Sequence, residues 1–467
     1  MLFNSVHFLL FLPVVTGIYF ALPFKARRVF LLAASFYFYC VWSVKWSFLM
    51  VYTVAQDYLA IRIMTRFDRP SVRKMALVLS LGGNLLILGL FKYYGFFNSS
   101  LAALLSSPPL PMLDLILPMG ISFYTFQTMS YVVDVYRRQI EPPRSFLDFA
   151  LFITFFPQLV AGPIMRGSEL LHQFYEDHRF QGERVLSGVL LVVWGLLKKV
   201  FVADPMGRIV ESVYGTAAAP LDPGLFGGLT LLMATYAFAV QIYCDFSAYT
   251  DICVGSGRLL GFRIIENFNS PYLAVSITDF WRRWHMSLSR WLRDYLYIPL
   301  GGNRLGSART YLNLMTTMLL GGLWHGANWT FVAWGGLHGL FLAVERFFGL
   351  DHRDRSRLTP GQRWLRGIFT FHLVCLSWVL FRSPTFSHAT QVVWRIMTLA
   401  EGSLINPVPL FCVTAIVVLQ TVKLKTNFHM FFMRRPMFAR WTVYACIGLL
   451  FAALATRSSP QFIYFQF

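Results

Sequence analysis

Charge is what this 467-residue chain has least of: 13% of its residues are Asp, Glu, Lys or Arg, against about 25% in a soluble domain. No polar stretch is long enough to build a separate soluble domain. No internal repeat or low-complexity linker divides the chain either, so residues 1–467 read as a single integral-membrane domain. The six cysteines (Cys40, Cys244, Cys253, Cys375, Cys412 and Cys446) include no CxxC pair and mostly lie in apolar runs. They read as small buried hydrophobes rather than a disulfide framework. The ten histidines form neither HExxH nor a His/Cys pairing, so no metal site is expected. The first apolar run, 7–22, lacks a basic n-region and a clear small-residue cleavage site, and reads as a retained span rather than a signal peptide. A net charge of +19 would suit a nucleic-acid binder, but the cations stand in short clusters between apolar runs. That is the positive-inside pattern of a membrane protein, and no nucleic-acid partner is expected.

What is present is apolar: 56% of the residues, gathered in runs close to the ~20 residues that cross a bilayer. Runs at 7–22, 29–42, 46–62, 76–91 and 113–133 are separated alternately by basic loops (25–28, 66–74, 137–144) and nearly uncharged ones such as 98–111. The basic loops are assigned to the cytoplasm, which leaves the N-terminus facing the outside. Later runs are less regular. Residues 146–164 are broken by Pro157 and Pro163, 186–202 ends in Lys198 and Lys199, and 311–320 is too short to span alone. Runs at 225–253, 329–348, 368–381, 409–422 and 441–454 complete the set, with 351–366 and 423–440 as basic loops. The expected fold class is an all-α polytopic membrane protein of about eleven to thirteen hydrophobic helices, some re-entrant or interfacial.

Ionisable groups inside apolar segments are costly and therefore mark functional candidates. Three stretches carry them. The run QIYCDFSAYTD at 241–251 places Gln241, Asp245 and Asp251 in a long apolar helix, where they either line a polar cavity or tie helices together. The segment 279–304 carries Arg282, Arg283, His285, Arg290 and Arg293. Its residues Trp284, Leu288, Trp291, Leu292 and Tyr295 recur at helical spacing. This pattern fits a helix lying in the membrane interface, aromatics in lipid and guanidiniums among head groups, and clustered arginines also suit phosphate binding. Pro299, Gly301 and Gly302 end it. The run GGLWHGANW at 321–329 holds His325 between glycines and tryptophans, with Trp324 and Asn328 beside it. A neutral imidazole there can accept a proton from a hydroxyl, or can be a buried, hydrogen-bonded structural histidine. His338 lies 13 residues on, about 220° round a helix, and is not expected to share its face.

The 281–303 block followed by LGGLWHGANW at 320–329 resembles the membrane-bound O-acyltransferase family, most like its bacterial branch serving alginate O-acetylation. LFNS at 2–5, PMGISFYTFQ at 118–127, FPQLVAGPI at 156–164, the 241–251 run and the aromatic tail FIYFQF at 462–467 extend the resemblance over nearly the whole chain. The resemblance implies a bowl of helices with a central tunnel through a thinned membrane. It implies acetyl-CoA as a donor entering from the cytoplasm, with no bound cofactor. It implies a periplasmic SGNH-type transferase as the partner that esterifies an exported polysaccharide. The family's catalytic histidine falls on His325, as general base. A second family position, often Asn or His, falls on His285, which would orient the donor or polarise its carbonyl. Arg282, Arg283 and Arg290 become candidate phosphate contacts. Gln241, Asp245, Asp251, Trp324 and Asn328 become candidate substrate-cavity residues. Two alternatives stay open: transfer of another acyl group, such as D-alanyl to teichoic acid, and a transporter whose Asp and His relay protons.

Overall fold

The computed structural model describes residues 1–105, 107, 110, 111, 113, 115–216, 219–350, 358–402 and 406–425, then 435–438, 440–442, 444, 445, 448 and 462. Among these every regular element is helical, apart from an isolated bridge between Gly215 and Pro220. The chain forms two compact units, Met1–Val192 with Tyr249–Glu266, and Val193–Ala248 with Asn267–Phe467.

In chain order the first unit contains α1 (Val6–Ala21), α2 (Phe24–Cys40), α3 (Val44–Arg66), α4 (Pro70–Leu88), α5 (Tyr94–Leu105), α6 (Ile121–Tyr136), α7 (Phe146–Thr154), α8 (Gly167–Leu170) and the start of α9 (Gly182–Leu197). The second contains α10 (Asp204–Tyr214), the first two-thirds of α11 (Gly228–Leu260), α12 (Ile277–Trp281), α13 (Met286–Leu292), α14 (Ser307–His325), α15 (Trp329–Phe347), α16 (Pro360–Arg382), α17 (Phe386–Met397) and α18 (Val408–Lys425). Side-chain caps start several of them. Ser5 accepts from the Phe8 amide at 3.2 Å, Ser276 from Asp279 at 3.0 Å, and Thr359 and Gln362 form a reciprocal capping box.

Among the described residues, four helical stretches are long and apolar enough to cross a membrane: Pro70–Leu105, Gly182–Tyr214, Gly228–Leu260 and Pro360–Arg382. α1 shows why lipid is the surrounding solvent. It buries Phe8, Phe11 and Val15 while exposing Leu10 and Val14, apolar on both faces. In the first unit Asp57 of α3 is fully buried, accepting from Ser80 Oγ at 2.6 Å and from Asn84 Nδ2 at 2.8 Å on α4, so a costly carboxylate is satisfied within the protein.

Several expected boundaries shift. The cations of 25–28 belong to the first turns of α2, not to a loop, because Arg27 turns back to cap Leu22 O at 3.0 Å. The run 311–320, expected to be too short, lies inside the 19-residue α14; its polar start at Ser307, Arg309 and Thr310 hid the helix. α16 begins at Pro360, within the stretch read as a basic loop. Residues 155–166 leave helix after α7, as Pro157 and Pro163 require, and residues 155–165 stay buried. The expected 441–454 run and the 423–440 loop lie largely outside the described residues.

The second unit is organised by the α14–α15 hairpin. Gly322 and Gly335 face each other so closely that a Cβ on Gly322 would overlap the Phe331 carbonyl and come 3.1 Å from Gly335 Cα, while one on Gly335 would overlap the Met318 carbonyl. Beside the hairpin, Trp334 stacks on Trp378 at 5.6 Å, Trp378 meets Trp284 at 5.3 Å, and all three are fully buried. Gly335→Ala should therefore destabilise the detergent-solubilised protein by about 1–3 kcal/mol, seen as a lower melting temperature. Gly82→Ala on α4, where a Cβ meets open space, should be neutral or slightly stabilising.

Candidate active site

The segment 267–292 is held by backbone and side-chain bonds that leave His285 a single conformation. Fully buried Asn267 accepts from the Ser287 amide through Oδ1 at 3.1 Å, and its carbonyl accepts from the Met286 amide at 3.0 Å. Asn269 N–H donates to Arg283 O at 2.9 Å. Farther up, Glu345 on α15 accepts from the Ile277 and Thr278 amides and from the Thr278 hydroxyl, anchoring the start of α12. The chain turns at His285, whose φ of 43° lies in the left-handed region, and α13 starts from it. The imidazole is fully buried, with Phe246 edge-on at 4.7 Å and the Trp324 ring at 6.0 Å.

His325 is the last residue of α14. The Phe331 ring packs so tightly on Gly326 that a Cβ there would overlap it, so any other residue after the histidine would have to displace that ring. The His325 ring meets Trp324 and Trp334, each at 5.1 Å, and Phe381 at 5.6 Å. It is 6.3 Å from the His285 ring, centre to centre. The structure thus brings together three of the residues singled out in the sequence, His285, Trp324 and His325, in an aromatic enclosure.

The others take up separate positions. Arg283 pairs with Asp279 at 2.7 Å and reaches Asn269 O at 3.2 Å; Arg282 is exposed, and Arg290 is half-buried on α13. Asn328 caps α15, accepting from the Thr330 amide at 3.0 Å and donating to Pro384 O at 3.1 Å. Asp245 is buried against Lys199 at 2.6 Å, and Lys199 also meets Asp204 at 2.8 Å. Gln241 lies one turn before Asp245, beside Gly207. Asp251 falls in the other unit, half-buried. The aromatic stripe read as lipid-facing is instead interior: Trp284, Leu288, Trp291 and Leu292 are all buried. The interfacial helix is broken into α12, the turn at His285, α13 and a π-helical turn at Arg293–Tyr297.

A model of the membrane-bound O-acyltransferase family matches residues 87–378, more than half of the chain and, apart from Phe381, the residues of this enclosure. The chain belongs to the membrane-bound O-acyltransferase family. It is 42% identical to the probable alginate O-acetylase AlgI of Azotobacter vinelandii, over 85% of this chain and 77% of that one. It is 36% identical to the peptidoglycan O-acetyltransferase of Helicobacter pylori, over 84% and 79%. The teichoic acid D-alanyltransferase of Bacillus subtilis is 28% identical over 60% of this chain and 72% of its own. This O-acyltransferase is therefore a multi-pass helical membrane enzyme.

In this O-acyltransferase two polar features escaped the sequence reading. The first is the Asp204–Lys199–Asp245 triad; its signal was a lysine inside an apolar run, but its partners lie up to 46 residues away. The second is His338. Trp281 Nε1–H donates to its Nδ1 at 3.3 Å, and Ser377, whose hydroxyl donates to Val374 O at 2.7 Å, accepts from its Nε2–H at 3.0 Å. Trp334 contacts His338 at 4.9 Å as well as His325, so the two histidines share a neighbour. The angular argument that set them on different faces does not apply, because they sit on opposite arms of a hairpin rather than on one helix.

Burial pushes the His285 imidazole down from 6.5 to about 3, keeping it neutral at ordinary pH. An unfolded chain protonates it near its usual value, so the folded state loses stability as pH falls from about 6.5 toward about 3. The melting temperature should drop between about pH 7 and about pH 5, and less so in His285→Asn, which keeps the left-handed turn. Lys199→Ala strands two buried carboxylates and should cost about 3–5 kcal/mol, measured by thermal denaturation in detergent.

Proposed function

We propose that this O-acyltransferase takes an acetyl group from cytoplasmic acetyl-CoA and passes it across the inner membrane for O-acetylation of an exported, alginate-like polysaccharide. A periplasmic transferase of the SGNH type completes the esterification, and the N-terminus lies on the periplasmic side. The observation that carries this reading is the pair of buried imidazoles, His325 and His285, 6.3 Å apart with Trp324 against both. The likeness to the alginate and peptidoglycan O-acetylating relatives supports the acetyl group and the polymer class.

The chemistry follows from the enclosure. His325 accepts the proton of an acceptor hydroxyl as that oxygen attacks the thioester carbonyl. The C–S bond breaks, the new ester C–O bond remains, and the imidazolium returns its proton to the leaving thiolate. Neutral His285 donates a hydrogen bond to the carbonyl oxygen as it gains charge. The surrounding rings, Phe246, Trp334 and Phe381, exclude water that would hydrolyse the thioester. Arg282 and Arg290 supply cationic contacts for the donor's phosphates, and the triad around Asp245 supports the cavity wall.

The test is acetyl-ester content of the exported polymer in cells lacking the gene, complemented with wild type or with His325→Ala at matched membrane levels. His325→Ala should lower transfer by about 10²–10⁴-fold. Full restoration of esters by His325→Ala would falsify the assignment of the base and leave transport without chemistry as the reading. With the purified enzyme, turnover of D-alanyl carrier-protein thioester but not of acetyl-CoA would replace the donor.

A further inference from the structure

A basic site stands in the first unit, lined by no residue given a catalytic role. A cavity of about 680 Å³ is lined by four arginines, Arg179, Arg184, Arg258 and Arg263, and by two acids, Glu176 and Asp177. Its frame is built from named bonds. Gln173 clamps the backbone of Arg263 from both sides, accepting from its amide at 2.7 Å and donating to its carbonyl at 2.9 Å. Gly261, with φ of 102°, passes directly over the buried His178 ring, whose Nε2 bonds Gln173 O at 2.8 Å. Arg258 donates to Ser187 at 2.8 Å, joining α11 to α9.

The charge balance of the cavity favours an anion. Asp177 is engaged by Arg27 at 3.1 Å, a residue that does not line the cavity, and Glu176 lies 3.8 Å from His172. Arg184 donates to Arg179 O at 2.5 Å, while its Nε–H is buried with no hydrogen-bond partner among the described residues. Four guanidiniums, one with an unspent donor, make a fork-shaped lining suited to phosphate oxygens.

Its depth is set by the helices. The cavity lies where one candidate span begins at Gly182 and another ends at Leu260, and the ends of spans are where lipid head groups meet a protein. Next to its lining residue Arg179, Phe180 is 63% exposed and rests edge-on against Phe20 at 5.5 Å, an apolar surface beside a cationic one. Arg27, on the side that the basic loops assign to the cytoplasm, bonds His178 O at 2.8 Å.

We propose that this cavity binds a phosphate group, presented by an anionic phospholipid of the adjoining leaflet or carried by a soluble phosphorylated compound. The exposed Phe180 and the head-group depth suit the lipid; the open guanidinium lining suits either. The site goes beyond the acyl-transfer reading and does not depend on it.

The experiment measures binding of short-chain phosphatidylglycerol and, separately, of inorganic pyrophosphate to the full chain in a neutral detergent, by native mass spectrometry and thermal shift. The double variant Arg179→Gln/Arg263→Gln alters two exposed side chains and leaves the Gln173 clamp, which holds backbone, in place. Arg69→Gln/Arg309→Gln removes the same charge from exposed positions elsewhere. Binding of at least one probe should weaken about tenfold or more in the first pair and stay unchanged in the second. The probe that responds names the source of the phosphate. No binding of either probe, or equal weakening in both pairs, overturns the proposal. Should the double variant be polydisperse, Arg263→Gln alone is compared with Arg309→Gln, and the same outcomes decide.

Discussion

Gly322 and Gly335 let two backbones meet where any side chain would hold them apart, and the geometry of the enclosure depends on that approach. Helices in lipid gain little from hiding apolar surface, since the surrounding tails are apolar too; they associate through close van der Waals fit. The glycine contact sets the α14–α15 hairpin, Gly326 under the Phe331 ring sets its turn, and Asn328 fixes where the return helix starts. His325 is at the tip because the hairpin ends there. Trp334, on the returning arm, then packs against His325 on one side and His338 on the other.

Around that tip the protein keeps polarity and dryness apart. The histidines are walled by Phe246, Trp324, Trp334 and Phe381, while in the Lys199 triad one buried ammonium serves two carboxylates. In such surroundings a proton transfer or a developing oxyanion is felt far more strongly than in water. Phe462, near the chain end, lies over the Lys199 ammonium at 4.5 Å, so the described part of the tail is packed onto the same buried charge.

Much of the helical architecture was legible because lipid imposes a simple rule: long apolar runs became α1, α3, α4 and α11, and the histidine framed by glycines and tryptophans became the hairpin tip. Three things were not legible, each for a physical reason. Periodicity shows that Trp284, Leu288 and Trp291 share a face, but in a membrane chain it does not say whether lipid or protein covers that face. The polar first turn of α14 masked a helix whose cost is met by local bonds such as Thr310 to Gly306 O at 2.8 Å. Partnerships such as Trp281 with His338 or Lys199 with Asp245 join residues far apart in sequence, and no spacing rule reaches that distance.

The left-handed turn at His285 narrows the alphabet before any chemistry is considered. Apart from glycine, the residues that enter this backbone region at least cost are asparagine, aspartate and, among ring-bearing residues, histidine. A β-branched residue there would strain the turn, and a charged aspartate would be stranded in a dry interior. The alternation of histidine and asparagine implied for this position by the family resemblance fits both the left-handed backbone and the dry surroundings. Histidine and asparagine both carry a hydrogen-bond donor, so either can face a carbonyl oxygen from this turn.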